Sequence, residues 1–458
     1  MMGHRQVEQA ALFYEFSLEK HIPADHLMRS IDRFVDLEQV RRDLAPFYSS
    51  IGRPSIDPEL MIRMLLIGYC FGIRSERRLC DEVHLNLAYR WFCRLGLNGM
   101  VPDHSTFSKN RHGRFRQSDL FRRVFESILR RCIEERLVGG EGFAVDASLI
   151  KADANRQRGI EGDKGLPPEA AGRAIDEYLA VLDDAAFGAA TEVTPKFVSP
   201  SDPAARWTGA HGGQAFFAYS TNYLVDVENA IIVDVEATTA IRQAEVLAAK
   251  RMIERSLERF DLYPSRLLGD SGYGSAEMLG WLLYEHGIEP HVTVFDKSAR
   301  TDGTFSREDF TYDHAGDVYR CPGGKVLTTT GTLVNDGATM LYVASKRDCD
   351  LCALKSRCCP KQASRKVPRS IYEGARDMAR EIARSWEGRT SRRLRKKIEM
   401  LFAHLKRILK LDRLRLRGPN GARRVHPRSH RPEPSEDGQA GSDAGIDAGT
   451  AMFAPPLR

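Results

Sequence analysis

The sequence has 458 residues, of which 42% are hydrophobic and 28% are charged, with a net charge of +6 and a pI near 8.8. This length supports two or three domains with real cores, and the modest positive charge permits nucleic acid as a partner without requiring it. No stretch approaches ~20 consecutive apolar residues, and the amino terminus lacks the apolar core of a signal peptide. We therefore expect a cytoplasmic protein with no membrane partner.

Residues 1–138 predict an all-helical domain. Asp57 stands before Pro58 and Glu59, an order typical of a helix start, and residues 59–71 are apolar on almost every side. Such a helix is expected to be buried among neighbours. Further helices are predicted from residues 75 and 88, over residues 102–115, and from Ser118, the last with Leu120, Val124, Ile128 and Cys132 on one stripe.

The helix over residues 102–115 is polar and basic, and it carries Lys109 and Arg111. Short helices joined by tight turns, with exposed bases, are typical of helix-turn-helix DNA readers. We therefore assign Lys109 and Arg111 to DNA contact. A helical dimerisation or support module would show the same pattern and stays the alternative.

From residue 142 the hydrophobic period changes from that of helices to that of strands. Residues 142–153 predict an apolar strand that carries one carboxylate, Asp146, in its middle. Burying such an acid is costly unless it is paired or binds a cation. An exposed position at a strand edge would remove that cost, so this Asp alone is a weak signal.

The residues that follow predict a mixed α/β sheet. Its predicted elements are strands at residues 215–227 and 231–236, a helix at 239–260, a strand at 267–274, a helix at 276–286 and a strand at 291–295. The helix at 239–260 has Leu247, Ile253, Leu257 and Phe260 among its apolar positions. The strand at 267–274 ends on Asp270 and enters a glycine turn.

A helix rich in bases is predicted over residues 389–418, with Glu399 as its early acid. An apolar stripe fixes it on a core: Ile398, Leu401, Phe402, Leu405, Ile408 and Leu409. The bases that we assign to DNA phosphates are Arg392, Arg395, Lys396, Lys406 and Lys410. A basic face that is merely solvated is the alternative.

Three carboxylates now stand in comparable positions: Asp146, Asp270 and Glu399. Such a set can share two divalent ions ~3.5–4 Å apart, which activate the attacking and leaving oxygens of a phosphodiester. Hard oxygen donors select Mg²⁺ or Mn²⁺. Asp153 and Asp296 are competing acids. Seven residues put Asp153 on the strand face opposite Asp146, and no glycine turn follows Asp296.

At these residues the chain resembles the DDE transposases of bacterial insertion sequences, over residues 40–422. The resemblance rests on five stretches, residues 52–60, 102–109, 145–150, 269–273 and 398–406. It implies a ribonuclease H-like catalytic fold with Asp146, Asp270 and Glu399 as the catalytic acids. It also implies metal-dependent nicking at the element's ends, attack of the freed 3′-hydroxyl on target DNA, and a homodimer on DNA.

The family's motif around its glutamate, an Arg four residues before and a Lys seven residues after, matches Arg395, Glu399 and Lys406. The tyrosine that often stands three residues before that Arg is Arg392 here. This departure concerns only the auxiliary role of that tyrosine.

Five of the nine cysteines cluster near the middle of the second half of the chain: Cys321, Cys349, Cys352, Cys358 and Cys359. Cys321, Cys349, Cys352 and Cys358 would form a tetrahedral Zn²⁺ site, with Cys359 able to replace Cys358. Reduced thiols in a small insert are the alternative. The family that the chain resembles has similar cysteines between its last sheet strand and its glutamate helix. The other four cysteines are predicted to be buried thiols.

The sequence thus predicts an α/β chain in five parts. These are an all-α DNA-binding domain at residues 1–138, a ribonuclease H-like mixed sheet with flanking helices at 139–296, a Cys-containing insert at 297–370, the closing basic helix at 371–422, and a disordered tail at 423–458. Residues 425–434 can be written in codons that, read in another frame, encode an apolar helix resembling the one that this family has there. We therefore expect a frameshift near residue 423, with a native disordered tail as the alternative.

The predicted function is cut-and-transfer DNA transposition. Two alternatives stay open. One is a catalytically impaired DNA-binding relic or repressor of its own element, and the other is a metal-dependent nuclease that does not transpose.

Overall fold

A computed structural model describes residues 16–49, 51–52, 55–112, 115, 118–164, 166, 195–209, 213–295, 302–335 and 337–414. Asp296 and the tail at residues 423–458 lie outside these ranges, as does most of the Gly-, Pro- and Ala-rich stretch before residue 213. Arg111 belongs to a described helix, but its side chain lies outside the description.

The described residues before 139 form helices and no strands. The helices are α1 (Leu18–His21), α2 (Leu27–Phe34), α3 (Val40–Leu44), α4 (Pro58–Cys70), α5 (Glu76–Leu85), α6 (Leu87–Phe92), α7 (His104–His112) and α8 (Leu120–Glu134). In α4 the Asp57 carboxylate accepts a hydrogen bond from the backbone N–H of Glu59, which confirms the predicted helix start. The apolar α4 is buried as predicted. The stripe predicted for α8 is buried as well.

The central sheet has six strands, and its middle strand β1 holds the first candidate acid. The strands are β1 (Gly142–Lys151), β4 (Arg206–Thr208), β5 (Phe216–Asp226), β6 (Ile232–Thr239), β7 (Arg266–Gly269) and β8 (Glu289–Val292), while β2 (Ile160–Glu161) and β3 (Phe197–Val198) form a separate pair. β1 pairs antiparallel with β5 and parallel with β7, which pairs parallel with β8. β4 and β6 both pair with β5. The mixed α/β sheet is confirmed.

Two helices connect the strands of this sheet. α9 (Arg242–Phe260) follows β6, and α10 (Ala276–Gly280) continues into a π-helical turn (Trp281–Glu285). Among the apolar positions of α9, Ile253 is buried, whereas Leu247 and Leu257 are exposed. Small side chains instead fill the close contact with β5 and β6, among them Ala244, Ala248 and Ala249.

A buried ion network joins the helical part to the central sheet. Asp234 of β6 accepts hydrogen bonds from Arg122 of α8 at 2.6 Å and from Arg255 of α9 at 2.7 Å. Arg122 also bonds Glu126 at 2.7 Å, and Arg255 bonds Glu236 at 3.1 Å. All five side chains are almost fully buried, so their charges are stabilised by one another rather than by water.

Residues 302–370 form a second, antiparallel sheet. Its strands are β9 (Thr311–Asp313), β10 (Val318–Arg320), β11 (Val326–Val334), β12 (Thr339–Ala344) and β13 (Lys366–Ser370), in the order β13-β12-β11-β10-β9. The short helices α11 (Lys346–Asp350) and α12 (Lys355–Cys358) carry cysteines beside it. Arg307 pairs with Glu373 at 2.7 Å and Arg369 with Asp377 at 3.2 Å, which attaches this sheet to the next helix.

Two long helices complete the described chain, α13 (Glu373–Arg384) and α14 (Trp386–Arg407). α14 packs against β1 and β7. The predicted extension of this helix to residue 418 was wrong: α14 ends at Arg407, and Ile408 is exposed while the other five positions of the predicted stripe are buried. Lys410 adopts a positive φ of 59°, and Leu414 then bonds the backbone of Lys151 at the end of β1.

A single hydrophobic cluster extends from the amino-terminal helices through the sheet to α14. Smaller clusters lie beneath β4 and inside the second sheet. Within the described ranges, no helix combines the length and the apolar character needed to cross a bilayer.

Candidate active site beside β1 and the carboxyl end of β7

The parallel register of β1 and β7 brings the two candidate aspartates together. Ala144 lies beside Leu268 in this register, and β7 ends one residue later at Gly269. Asp146 and Asp270 each follow these paired residues by two positions. Neighbouring strands lie ~4.8 Å apart, so the two residues come close together where β7 ends.

The pKa of Asp146 reports this proximity. This pKa is raised to about 6, with burial as the largest cause and the carboxylates of Asp270 and Glu399 acting in the same direction. The backbone N–H of Ala147, 2.8 Å from the carboxylate, and the guanidinium of Arg395 act in the opposite direction. The three predicted acids therefore lie within electrostatic range of one another, and like charges held together favour a bound cation.

Asp270 is positioned by a tight turn. It precedes a 3-10 turn (Ser271–Tyr273), and its Oδ1 accepts a hydrogen bond from the N–H of Gly272 at 2.7 Å. A Cβ on Gly272 would come within 2.7 Å of the same oxygen. The glycine that follows the aspartate in the sequence is therefore needed for the carboxylate to keep its position.

Glu399 reaches the site from helix α14. Phe402, one turn further, packs on Tyr223 with 5.0 Å between ring centroids, and Tyr223 is the direct β5 partner of Asp146. Glu399 is exposed and lies 3.4 Å from Arg395. His291 of β8 bonds Ser391 at 2.7 Å and thereby holds the beginning of α14 on the sheet. A small cavity between β7, β8 and α14 is lined by Gly269 and Arg395, among others.

The predicted bases on α14 have different surroundings. Arg392 donates to the backbone oxygen of Ala383 at 2.8 Å but is exposed, as are Lys396 and Lys410. Lys406 is half-buried, and burial lowers its pKa although Asp146 and Asp412 favour its charged form. It therefore belongs to the surroundings of Asp146 rather than to an open basic surface. Lys109 of α7 is exposed.

Of the two competing acids, the described Asp153 lies away from the trio. It pairs with Arg413 at 3.5 Å, beyond the end of β1.

Sequence reasoning missed two groups beside Asp270. Glu245 in the first turn of α9 accepts a hydrogen bond from Ser220 of β5, and Tyr273 is buried at the end of the 3-10 turn. Glu245 looks in sequence like an acid that complements a helix amino terminus. Its proximity to Ser220 depends on the position of β5 in the sheet, which the local sequence around Glu245 does not show.

The donor chemistry of the trio fits a hard divalent ion, since all its donors are carboxylate oxygens and two of them act to raise the pKa of Asp146. Within the described residues, no three His, Cys, Asp or Glu side chains stand close enough to form a finished metal site. The structure thus gathers the acids to one edge without placing them at ligand distances.

The clustered cysteines lie in two groups beside the second sheet. Cys321 and Cys352 flank the turn at Gly323, since a Cβ there would lie 3.7 and 3.5 Å from their sulfurs. Cys359 interacts with Cys349 and Cys358. All nine cysteines are free thiols, and of the four elsewhere Cys80, Cys93 and Cys132 are buried as predicted while Cys70 is half-buried.

Comparison with known proteins identifies the family. Residues 16–113 match the model of a transposase domain, DUF772, and residues 139–425 match that of the transposase DDE domain, more than half of the chain. Among solved structures, the piggyBac transposase synaptic complex with hairpin DNA is similar at a TM-score of 0.29 and 9% identity, over 85% of this chain and 67% of that chain. A likeness this distant adds nothing to the assignment. Transposase DDE domains are nucleases that use divalent metal ions. The two family matches confirm the predicted resemblance, and the chain belongs to the DDE transposase family.

Proposed function

We propose that this chain cuts the ends of an insertion sequence and joins the freed 3′-hydroxyl to target DNA by a two-metal transfer of phosphodiester bonds. The observation that carries the proposal is that Asp146 and Asp270 each lie two positions beyond the paired residues Ala144 and Leu268 of neighbouring parallel strands, with Glu399 approaching on α14. Oxygen donors gathered in this way are suited to Mg²⁺ or Mn²⁺.

The strand order supports a ribonuclease H-like catalytic fold. Leaving aside the short β4, the strands lie side by side in the order β6-β5-β1-β7-β8, which in chain order is third, second, first, fourth, fifth. β5 pairs antiparallel with both β1 and β6. This arrangement places the first strand at the centre, with its acid beside the end of the fourth.

The roles of the chain's own residues follow from their positions. Asp146, Asp270 and Glu399 would hold the divalent ions, which when bound supply charge stabilisation for the attacking and leaving oxygens. The Gly272 N–H keeps Asp270 oriented. Arg392, Lys396 and Lys410 would hold the DNA backbone by contacts that do not depend on sequence.

The division into parts is also proposed. Residues 1–138, with Lys109 and Arg111, would bind the element's ends as a DNA-binding domain, and residues 139–296 with 371–422 would form the catalytic domain. Residues 297–370 would be a Cys-containing insert, and residues 423–458 a frameshifted tail. DNA is the proposed partner, bound by a homodimer because two ends must be joined together.

We also propose that the insert binds one structural Zn²⁺ through Cys321, Cys349, Cys352 and Cys358, with Cys359 able to replace Cys358. The backbone N–H of Lys325 donates to the Cys321 sulfur at 3.3 Å, and such N–H donors stabilise a thiolate. The group of Cys321 and Cys352 and the group of Cys349, Cys358 and Cys359 would need to close on the ion.

Purified protein should therefore contain about one zinc per chain, measured by plasma mass spectrometry after dialysis. Cys352→Ser should lose most of that zinc and lower the thermal midpoint, since structural zinc contributes folding free energy. The matched control is Cys70→Ser, a half-buried cysteine in α4 that is not one of the clustered cysteines. Equal, negligible zinc in all three proteins would contradict the site.

The test of the main proposal is cleavage and joining of a duplex that carries the terminal inverted repeats of the encoding locus. We expect nicks at the repeat ends with Mg²⁺, no product with EDTA, and recovery when Mg²⁺ is restored, because the metal supplies the charge stabilisation. Cleavage without joining would favour a non-transposing nuclease. Binding of the repeats without cleavage under any metal would favour the impaired relic or repressor.

A further inference from the structure

We propose that Glu245 is a fourth carboxylate of the divalent-cation site, held by Ser220 and placed beside Asp270 on the side of the sheet opposite Glu399. This inference rests on the proposed metal-dependent function and adds an acid that lies outside the DDE trio.

Glu245 is held in place by the sheet. Its carboxylate accepts a hydrogen bond from the Ser220 hydroxyl at 2.5 Å, and Ser220 lies within β5 and is fully buried. Helix α9, which carries Glu245 in its first turn, also packs against the 3-10 turn that follows Asp270. The side chain is half-buried and has one defined anchor.

The register shows from which side Glu245 arrives. Ser220 pairs with Leu149 and Asp146 with Tyr223, and residues three apart on a strand face opposite sides. Tyr223 contacts Phe402 of α14, so Asp146 faces α14. Ser220 and Glu245 therefore belong to the α9 side of the sheet.

Asp270 connects the two sides. Because β7 ends at Gly269, Asp270 lies at the open edge of the sheet, and both Asp146 and Glu245 interact with it electrostatically. Glu245 would thus supply a carboxylate from the α9 side of the sheet, as Glu399 does from the α14 side. A cation at this edge would be enclosed by acids from both helix layers.

A second, independent observation points to a missing ligand at the same place. The Tyr273 hydroxyl has no hydrogen-bond partner among the described residues, although the side chain is only 4% exposed. Glu245, Asp146 and Asp270 all act electrostatically on this hydroxyl. A buried hydroxyl without a partner costs about 1–3 kcal/mol, a cost that a metal-bound water or a shifted carboxylate would relieve.

The charge around Glu245 supports a cation site. Burial raises the pKa of Glu245, and Asp270 raises it further, while Ser220 and Arg242 lower it. Arg242 is exposed, and its guanidinium lies 5.3 Å from the Phe295 ring centroid. The bases that act on these carboxylates are Arg242 at Glu245, and Arg395 and Lys406 at Asp146. A divalent ion would stabilise the gathered carboxylates further.

The experiment measures Mn²⁺ binding to the full chain by electron paramagnetic resonance, without DNA. Glu245→Gln keeps the size and the acceptor for Ser220 but removes the charge, and we expect it to weaken Mn²⁺ binding about tenfold or more. Tyr273→Phe should weaken binding by a smaller factor. Glu258→Gln, an exposed glutamate on the same helix, is the matched control and should bind as the wild type does.

The outcomes separate this inference from the proposed function. Loss of Mn²⁺ in Asp270→Asn but wild-type binding in Glu245→Gln would overturn the fourth carboxylate alone. Wild-type Mn²⁺ binding in both would overturn the proposed metal site itself. A purely structural Glu245 would change the thermal midpoint without changing Mn²⁺ affinity, and that result would also overturn the inference. Glu245→Asp, which keeps the charge, should retain binding better than Glu245→Gln.

Discussion

Replacing Asp270 with asparagine should lower the rate of DNA end cleavage at least ~1000-fold, about 4 kcal/mol of activation free energy, while DNA binding stays intact. Asparagine keeps the Oδ1 that accepts the Gly272 N–H, so the turn after β7 is preserved. What is lost is the negative charge shared with Asp146 at the sheet edge. The measurements are single-turnover cleavage of the repeat duplex in Mg²⁺ and a gel-shift assay on the same duplex.

Asp153→Asn is the matched control for this change. Asp153 follows the same strand as Asp146 but pairs with Arg413, so its substitution should leave cleavage within about threefold of wild type. Asp270→Asn with near-normal cleavage, or Asp153→Asn with a loss of similar size, would contradict the assignment of the trio. Parallel loss of DNA binding in Asp270→Asn would show that the change acts on folding instead.

Local patterns predicted the parts of the fold that depend on neighbours in sequence. The Asp57–Pro58 helix start and the apolar stripe of α8 are set by hydrogen bonds and contacts within a few residues. The acids Asp146 and Asp270 could be found because each ends or interrupts an apolar run. A carboxylate that interrupts an apolar run is costly to bury unless it is paired or binds a cation, so it indicates a site.

Features that depend on distant pairings escaped prediction. The basic and apolar repeat of α14 continues in sequence beyond Arg407, yet the chain turns at Lys410 and Leu414 pairs with Lys151 of β1. The buried role of Glu245 likewise depends on Ser220, on a different element. Asp234 and Glu236 in β6 alternate with apolar residues as exposed acids would, but helices α8 and α9 cover them with arginines.

Replacing Asp234 with alanine should destabilise the protein by roughly 3–5 kcal/mol, the loss typical of removing one partner from a buried ion pair. Asp234 is 1% exposed and bonds both Arg122 and Arg255, so its removal leaves two buried guanidinium groups without this partner. The network joins α8 to β6 and α9, so we expect the helical part and the sheet of the variant to unfold in separate transitions rather than in one. Urea unfolding followed by far-ultraviolet circular dichroism measures the effect.

Glu82→Ala is the control. Glu82 forms an exposed pair with Arg78 within α5, so its removal should destabilise the protein by about 0.5 kcal/mol or less.

The pH dependence of the stability gives a second check. Burial alone would raise the pKa of Asp234, but Arg122 and Arg255 outweigh it and hold the pKa below its ordinary value. A lowered pKa in the folded state contributes stability that is complete above the unfolded value near ~4 and is lost as the pH falls through the folded value. The difference in unfolding free energy between wild type and Asp234→Ala should therefore be constant from neutral pH to about 5 and shrink below ~4. A difference under ~1 kcal/mol at neutral pH would mean that the arginines find other partners, and that the network does not hold the two parts together.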